Sequence, residues 1–363
     1  MPLHFEDTRI EGGEAMDYVG IDLHKSSSQV RILSGDGELT EFRIKTTRAS
    51  FDEVFARHPP ARILVEASTE SEWVACHLEQ LVHEVIVADP NFAPMYATRD
   101  KKIKTDKRDA RALCEACRLG AYRPAHRTSE RQRRIRSQLL VRSTLVRTRS
   151  KYISLIGSLA RREGCRIATG GSNNFIARVE AANLPAHVMA AIAPLIESLK
   201  VLNRQISEAD AELEKIVKED EIVRRLCTAP GVGPVTATTF AATIDDATRF
   251  GAARQVRSYL GLVPREYSSG ERQHRGRISK AGGSRARTLL VEAAWALLRW
   301  RNAKNAALYD WAIRIAARRG RARACVALAR KLAGILYAMW RDGTEFDPLA
   351  LRRSDAAGAA AAA

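Results

Sequence analysis

The sequence contains no apolar run of about 18 residues, the length a helix needs to cross a bilayer, so no transmembrane helix is expected. Its first residues, MPLHFEDTRIEGGEAMD, lack the apolar core of a secretory signal and read as a frayed acidic leader. Cysteines are few: Cys76, Cys114, Cys117, Cys165, Cys227 and Cys325, of which only Cys114 and Cys117 lie close together. No second Cys or His pair follows at the spacing a structural zinc site uses. Cys114 and Cys117 therefore read as buried thiols on a helix in a reducing compartment. No internal repeat is present, and the tail AAGAAAAA is low in complexity. Acidic residues are also short, 42 against 59 Lys and Arg, for a net charge of +17. That excess favours a polyanionic partner, with nucleic acid first. A basic helix lying on a membrane surface is the rival reading, and nothing else in the chain supports it.

What is present is a chain of 363 residues with 45% hydrophobic content, enough for two or three domains with real cores. Residues 17–45 read as three short strands, broken by the turn signal Ser34-Gly35-Asp36-Gly37. A helix from Ser50 to Ala56, with Ser50 as its N-cap, ends at His58-Pro59-Pro60. A strand over Arg62–Val65, a helix over Ser71–Val82 and a strand over Val85–Ala88 follow. Thr105 is placed to cap a helix from Asp106 to about Arg118, with Gly120 as its stop. The order βββαβαβα predicts a mixed sheet with flanking helices, the RNase H-like arrangement.

Residues 127–163 predict a long helix, and between Arg127 and Gly164 eleven basic residues face two acidic ones. A second long helix is predicted from Leu184 to Lys218. The pair reads as an antiparallel hairpin or coiled coil, and a dimerisation arm is an open alternative. From Glu221 the chain predicts further helices, a basic polar loop over Val263–Gly283, and helices over Ser284–Trp300 and Ala322–Trp340. The expected division is 17–125, 126–220 and 221–345.

Chemistry is carried first by carboxylates. Asp22 closes the apolar run Tyr18–Ile21, and Glu66 closes Ile63–Val65. Asp106 and Asp109 lie three apart on one helix face. Four acids gathered at one point repel one another and make sense around hard divalent cations such as Mg²⁺ or Mn²⁺. Two such ions can activate a nucleophile and neutralise a leaving oxygen in phosphoryl transfer. Scattered surface acids are the plain alternative. Lys101, Lys102, Lys104, Lys107 and Arg108 surround the Asp pair and could hold phosphates. His24 and Lys25 could touch substrate, or His24 could be only a polar residue at a strand edge.

The second motif is Ala229-Pro230-Gly231-Val232-Gly233-Pro234 before an apolar helix. It reads as a helix-hairpin-helix turn, with Gly231 and Gly233 letting backbone approach a phosphate. The alternative is a structural turn between packed helices. The third runs from Tyr259 to Gly283. It contains Ser268, Ser269 and Ser279 among Arg265, Arg272, Arg275, Arg277 and Lys280, and from Pro264 to Arg287 it carries seven basic and two acidic residues. Such serines could bind phosphate or, with a base or metal nearby, attack phosphorus.

Taken together, YVGIDLHKSSSQVRIL, LVEAS and KTDKRDARAL, followed by APGVGPVTATTF and YLGLVPREYSSGERQHRGRISKAGGSRARTLL, resemble the DEDD insertion-sequence transposases related to the Piv/MooV DNA invertases. The resemblance spans about Asp17 to Trp340. It implies an α/β plus α protein, with a RuvC-like RNase H-fold domain, a helical or coiled-coil region and a mostly α C-terminal transposase domain. It implies that Asp22, Glu66, Asp106 and Asp109 bind Mg²⁺ or Mn²⁺. It also implies a serine that links covalently to DNA, mapped to Ser269 with Ser268 and Ser279 as fallbacks. Lys104, Lys107, Gly231, Gly233, Arg265, Arg272, Arg275, Arg277 and Lys280 are the expected nucleic-acid contacts. The implied partners are DNA, a structured bridge RNA as used by some members, and further copies of the chain as a dimer or tetramer. A bacterial cytoplasmic, nucleoid-associated location goes with them. The alternative activity is a RuvC-like junction endonuclease in which water attacks. The leader before Asp17 has no counterpart in the shorter starts the family leads one to expect.

Overall fold

The computed structural model describes residues 16–97, 105–269 and 272–349. The chain divides into two compact units, residues 1–127 and 128–363.

The first unit runs β1 (Asp17–Leu23), β2 (Ser27–Leu33), β3 (Leu39–Lys45), α1 (Arg48–Phe55), β4 (Ala61–Glu66), α2 (Ser71–Gln80), β5 (Glu84–Ala88) and α3 (Asp106–Leu119). The sheet order is β3-β2-β1-β4-β5. β1 pairs antiparallel with β2 and β2 with β3, whereas β1 and β5 run parallel to β4. This mixed sheet is consistent with the expected RNase H-like arrangement. One boundary differs: Thr47, not Ser50, caps α1, its side chain accepting from the Ser50 amide. A β-region Thr three residues upstream of Ser50 meets the capping geometry, and Ser50 is already inside the helix.

Strand alternation sorts the side chains onto two faces. Val19, Ile21, Leu23, Ile63 and Val65 pack with Phe51, Phe55, Val74 and Leu78 in one core. On the other face Leu64 and Ala88 pack with Leu113, Ala116 and Cys117 of α3. Gly20 fixes how closely α3 lies. A Cβ built there would come within 2.2 Å of the Cys114 nitrogen and 2.4 Å of the Ala110 carbonyl oxygen, so only hydrogen fits. Cys114 and Cys117 are buried in this contact and donate to the Tyr18 and Arg62 carbonyls. Burial pushes their thiols up to about 11 and about 12, so both remain protonated at neutral pH.

The second unit contains α4 (Glu130–Arg162), α5 (Phe175–Glu180), α6 (Ala186–Glu219), α7 (Glu221–Leu226), α8 (Pro234–Ile244), α9 (Ala253–Tyr259), β6 (Pro264–Ser269), β7 (Arg272–Ile278), α10 (Ser284–Leu297), α11 (Ala306–Arg319) and α12 (Arg321–Asp342). The long helices α4 and α6 pack on each other within the chain. Ile156 and Ala160 meet Ile192, Ile196 and Leu199 at one end, and Ile135 and Leu139 meet Leu213 at the other, so the pair is antiparallel. Ala242 of α8 joins the second cluster, so residue 220 falls inside one packed unit. The core of the unit is α7–α12, built around Phe240, Leu290, Leu328, Leu332 and Tyr337.

One sequence expectation is corrected here, and one helix is added to those expected. Residues 263–283 are not an irregular loop: β6 and β7 form an antiparallel hairpin, with Pro264 opposite Ile278 and Ser269 opposite Arg272. Its base is held by backbone contact. Lys280 donates to the Gly261 carbonyl, and Gly282, at φ +66°, passes so close to Tyr259 that a Cβ would come within 2.2 Å of its carbonyl oxygen. α11 was not anticipated either. It follows a turn in which Asn302 and Asn305 cap each other's amides.

Candidate active site

The four acids come from three elements whose geometry brings them to one region of the first unit. The last parallel pairing of β1 with β4 joins Ile21 to Val65, so Asp22 and Glu66 are the next residues on adjacent strands. Both share the face of Gly20 and Leu64, which is the face α3 covers. Because Ala110 and Cys114 sit over Gly20, the first turn of α3 lies toward Asp22. Thr105 caps that turn, accepting from the Arg108 amide, and Asp106 and Asp109 both fall in it. Carboxylates in a first helical turn are favoured by the exposed N–H groups and the helix dipole. The capping expectation for Thr105 and the stop at Gly120, at φ +64°, both hold.

Asp22, His24 and Asp106 offer ligand atoms within 4.8 Å of one another, the group with metal-like spacing among the described residues. His24 Nε2 lies 3.3 Å from Asp22 Oδ2 and 3.3 Å from Asp106 Oδ1. Asp109 is buried at 6% exposure, and Glu66 accepts from the Tyr96 hydroxyl. Those two acids do not join the tight trio, but Asp22 feels both. Burial pushes the Asp22 carboxyl above its ordinary value, the His24 imidazole pulls it down, and Asp109, Asp106 and Glu66 push it up again. Asp22 Oδ2 is buried and accepts no hydrogen bond. A buried carboxylate oxygen with no hydrogen bond, only the His24 imidazole beside it and further carboxylates repelling it, is the donor chemistry that hard divalent cations take.

A cleft of about 530 Å³ opens beside the acids, lined by Gln29, Glu41, Arg43, Thr105, Asp106 and Lys107. Arg43 reaches to 3.8 Å from Asp106, and the exposed Lys107 lies 3.8 Å from Glu41. Sequence reasoning missed Arg43 and Tyr96, because a lone Arg on an edge strand and a Tyr between two elements carry no spacing signal. Lys101, Lys102 and Lys104 lie outside the described residues.

In the second unit, Gly231 stands at φ +76°, which strains any side chain, and a Cβ there would come 3.0 Å from the Ala293 carbonyl oxygen of α10, so the turn's own structure favours glycine. Gly233 caps α8 with no side-chain bond and open space around it. The backbones of Ser268, Ser269, Arg272 and Arg275 lie in the hairpin, and their side chains fall outside the described ones. Arg265 donates to the Ser279 carbonyl at 3.3 Å. Ser279 is half-buried at the hairpin base, where Arg277 and Lys280 are exposed.

Comparison with known proteins decides what this arrangement belongs to. A family profile for the DEDD transposases of IS110 type, described as "Transposase", matches residues 19–161 and so includes all four acids. A second, "Transposase IS116/IS110/IS902 family", matches residues 223–310. A "Probable family 20 transposase" of Pseudomonas aeruginosa is 33% identical over 91% of this chain and 98% of its own length. The chain belongs to the IS116/IS110/IS902 transposase family. Other family relatives are the transposases for insertion sequence elements IS1328 of Yersinia enterocolitica and IS1111A of Coxiella burnetii. Each is 29% identical, over 90% and 88% of this chain and 98% and 88% of its own length. Like them, this family member is a DNA-processing enzyme. No helix among the described residues is long and apolar enough to cross a membrane.

Proposed function

We propose that this transposase cuts and rejoins DNA through a serine-linked intermediate, with Asp22, Glu66, Asp106 and Asp109 as ligands for Mg²⁺ or Mn²⁺. The observation that carries the reading is geometric: Asp22, His24 and Asp106 offer ligand atoms within 4.8 Å of one another, and the Asp22 carboxyl, raised first by burial, is pushed up further by Asp109, Asp106 and Glu66. Bound there, divalent ions would supply charge neutralisation at the scissile phosphate. The acids position those ions, and Arg43 and Lys107 at the adjoining cleft would orient the flanking backbone. The Ser269 oxygen would attack phosphorus, forming a P–Oγ bond as the P–O bond to the leaving sugar breaks. The serine proton ends on the departing hydroxyl. The reverse attack by a sugar hydroxyl would restore serine and seal the strand, with no external energy source.

The same reading gives Arg265, Arg272, Arg275, Arg277 and Lys280 a role as phosphate contacts on the hairpin. It treats the turn at Gly231 and Gly233 as a helix-hairpin-helix, with the free amides at the start of α8 directed to a phosphate. Lys104 is assigned to the backbone beside the acids. The first unit would be the RuvC-like catalytic domain, 126–220 the helical arm and 221–345 the serine-bearing domain. A bridge RNA and a dimer or tetramer complete the proposed assembly.

The test is metal removal with a labelled DNA substrate. In chelator, both strand cleavage and protein-linked DNA on a denaturing gel should fall to background. Mg²⁺ or Mn²⁺ should restore both. Cleavage that persists in chelator would exclude the acids as metal ligands.

A further inference from the structure

A groove of about 970 Å³ lies in the second unit between the base of the β6–β7 hairpin and the α11–α12 pair. Its floor is apolar, formed by Leu262, Ile278, Ile315 and Val326. Five cations line it: Arg277 and Lys280 from the hairpin, and Arg319, Arg323 and Arg330 from the helices. No acidic residue lines it, and none of the five makes an ion pair among the described residues. Three arginines of α4 differ from them. Arg131, Arg134 and Arg142 are matched to Asp220, Glu130 and Asp210. A solvated basic face can be neutralised by its own protein; among the described residues the five cations of this groove are not.

Five like charges around an apolar floor repel one another in a medium that screens them less than open water does. An anion laid along the groove would relieve that repulsion. The spacing suits a polymer better than a single small anion. Arg323 and Arg330 are seven residues apart on α12, so they share a face about 10 Å apart along the helix axis. Arg319 precedes Arg323 across the helix junction at Gly320, where φ is +82°. Among the described residues no aromatic side chain lines the groove, so they offer no stacking platform for bases. Arg319, Arg323 and Arg330 also lie beyond residue 310, where the family match ends.

We propose that this groove holds a sugar–phosphate backbone, gripping it by charge without reading bases. The inference takes the polymer class from the proposed function but depends on neither the metal ligands nor the serine. DNA and RNA present the same phosphodiester chemistry, and the experiment separates them.

Full-length protein is titrated in chelator against a random-sequence DNA duplex and, separately, an RNA hairpin, by fluorescence anisotropy over a salt series. The variant is Arg319→Gln with Arg323→Gln, both exposed positions. The control is Arg131→Gln with Arg134→Gln, which removes equal charge from paired arginines. Each phosphate contact contributes about 0.9 to the salt slope for duplex DNA and about 0.7 for a single strand. The groove variant should lose about 1 to 2 from the slope and bind several-fold more weakly with the polymer that occupies it, while the control keeps its slope. A change in the DNA arm names DNA as the occupant, and a change in the RNA arm names RNA. An unchanged slope in both arms, or an equal loss in the control, overturns the proposal. Because no metal is present, failure of the cleavage chemistry leaves this result untouched.

Discussion

Asp22→Asn should lower DNA cleavage by about 10³-fold while making the metal-free protein more stable at neutral pH. The two effects share one cause. In the folded chain the Asp22 carboxyl titrates above its ordinary value, first because it is buried and then because Asp109, Asp106 and Glu66 repel it, against the opposing pull of His24. A raised acid binds its proton more tightly folded than unfolded. Its favourable contribution is therefore complete below the unfolded pKa, about 3.9, and is lost as pH rises through the folded value. Above that point the charged form works against folding. Asn keeps the shape and removes the charge. The variant's melting temperature in chelator should then exceed that of the unaltered protein at pH 7, with the gap closing as pH falls toward 4. Saturating Mg²⁺ or Mn²⁺ should reverse the order, since ligand binding stabilises the protein that binds it. Calorimetric melts in chelator and in metal, beside a cleavage assay, read all of this. A variant that melts lower than the parent at pH 7 without metal would contradict the repulsion on which the site rests.

The second large effect is on covalent chemistry. Ser269→Ala should remove protein-linked DNA and reduce strand joining by at least about 10³-fold, because alanine has no atom to carry the phosphoryl group. Ser268→Ala and Ser279→Ala should leave the adduct in place. The half-buried Ser279 sits at the hairpin base, where its amide donates to the Val263 carbonyl. Mass spectrometry of the trapped adduct identifies the linked residue. If Ser269→Ala abolishes no adduct and the DNA is still nicked, water is the nucleophile and the protein is a hydrolytic endonuclease.

Much of the first unit can be read from residues alone, for physical reasons. Short apolar runs ended by a polar residue mark β1 and β4, and the polar residue that ends each run is a site acid. Thr105 and Gly120 punctuate α3 because their backbone geometries suit few other residues. What brings the acids together is less visible. It depends on Gly20 admitting α3 to van der Waals contact, and a single glycine in a strand gives no sign of its neighbour. His24 carries only its position two residues after Asp22, yet it bridges two of the acids. The β6–β7 hairpin was hidden because its strands, PREYSS and RQHRGRI, are rich in charge and poor in the apolar alternation that marks a half-buried strand. The period of α4 and α6 marks each as a helix, but that they pack on each other within the chain is a matter of side-chain fit that no period encodes.

The most direct measurement is anomalous scattering from crystals of the protein grown with Mn²⁺. The account predicts metal peaks ringed by the carboxylates of Asp22, Glu66, Asp106 and Asp109, with oxygens at about 2.0–2.2 Å as small hard cations require. Mn²⁺ bound elsewhere, with those four side chains turned away from it in a preparation that still cleaves DNA, would contradict it.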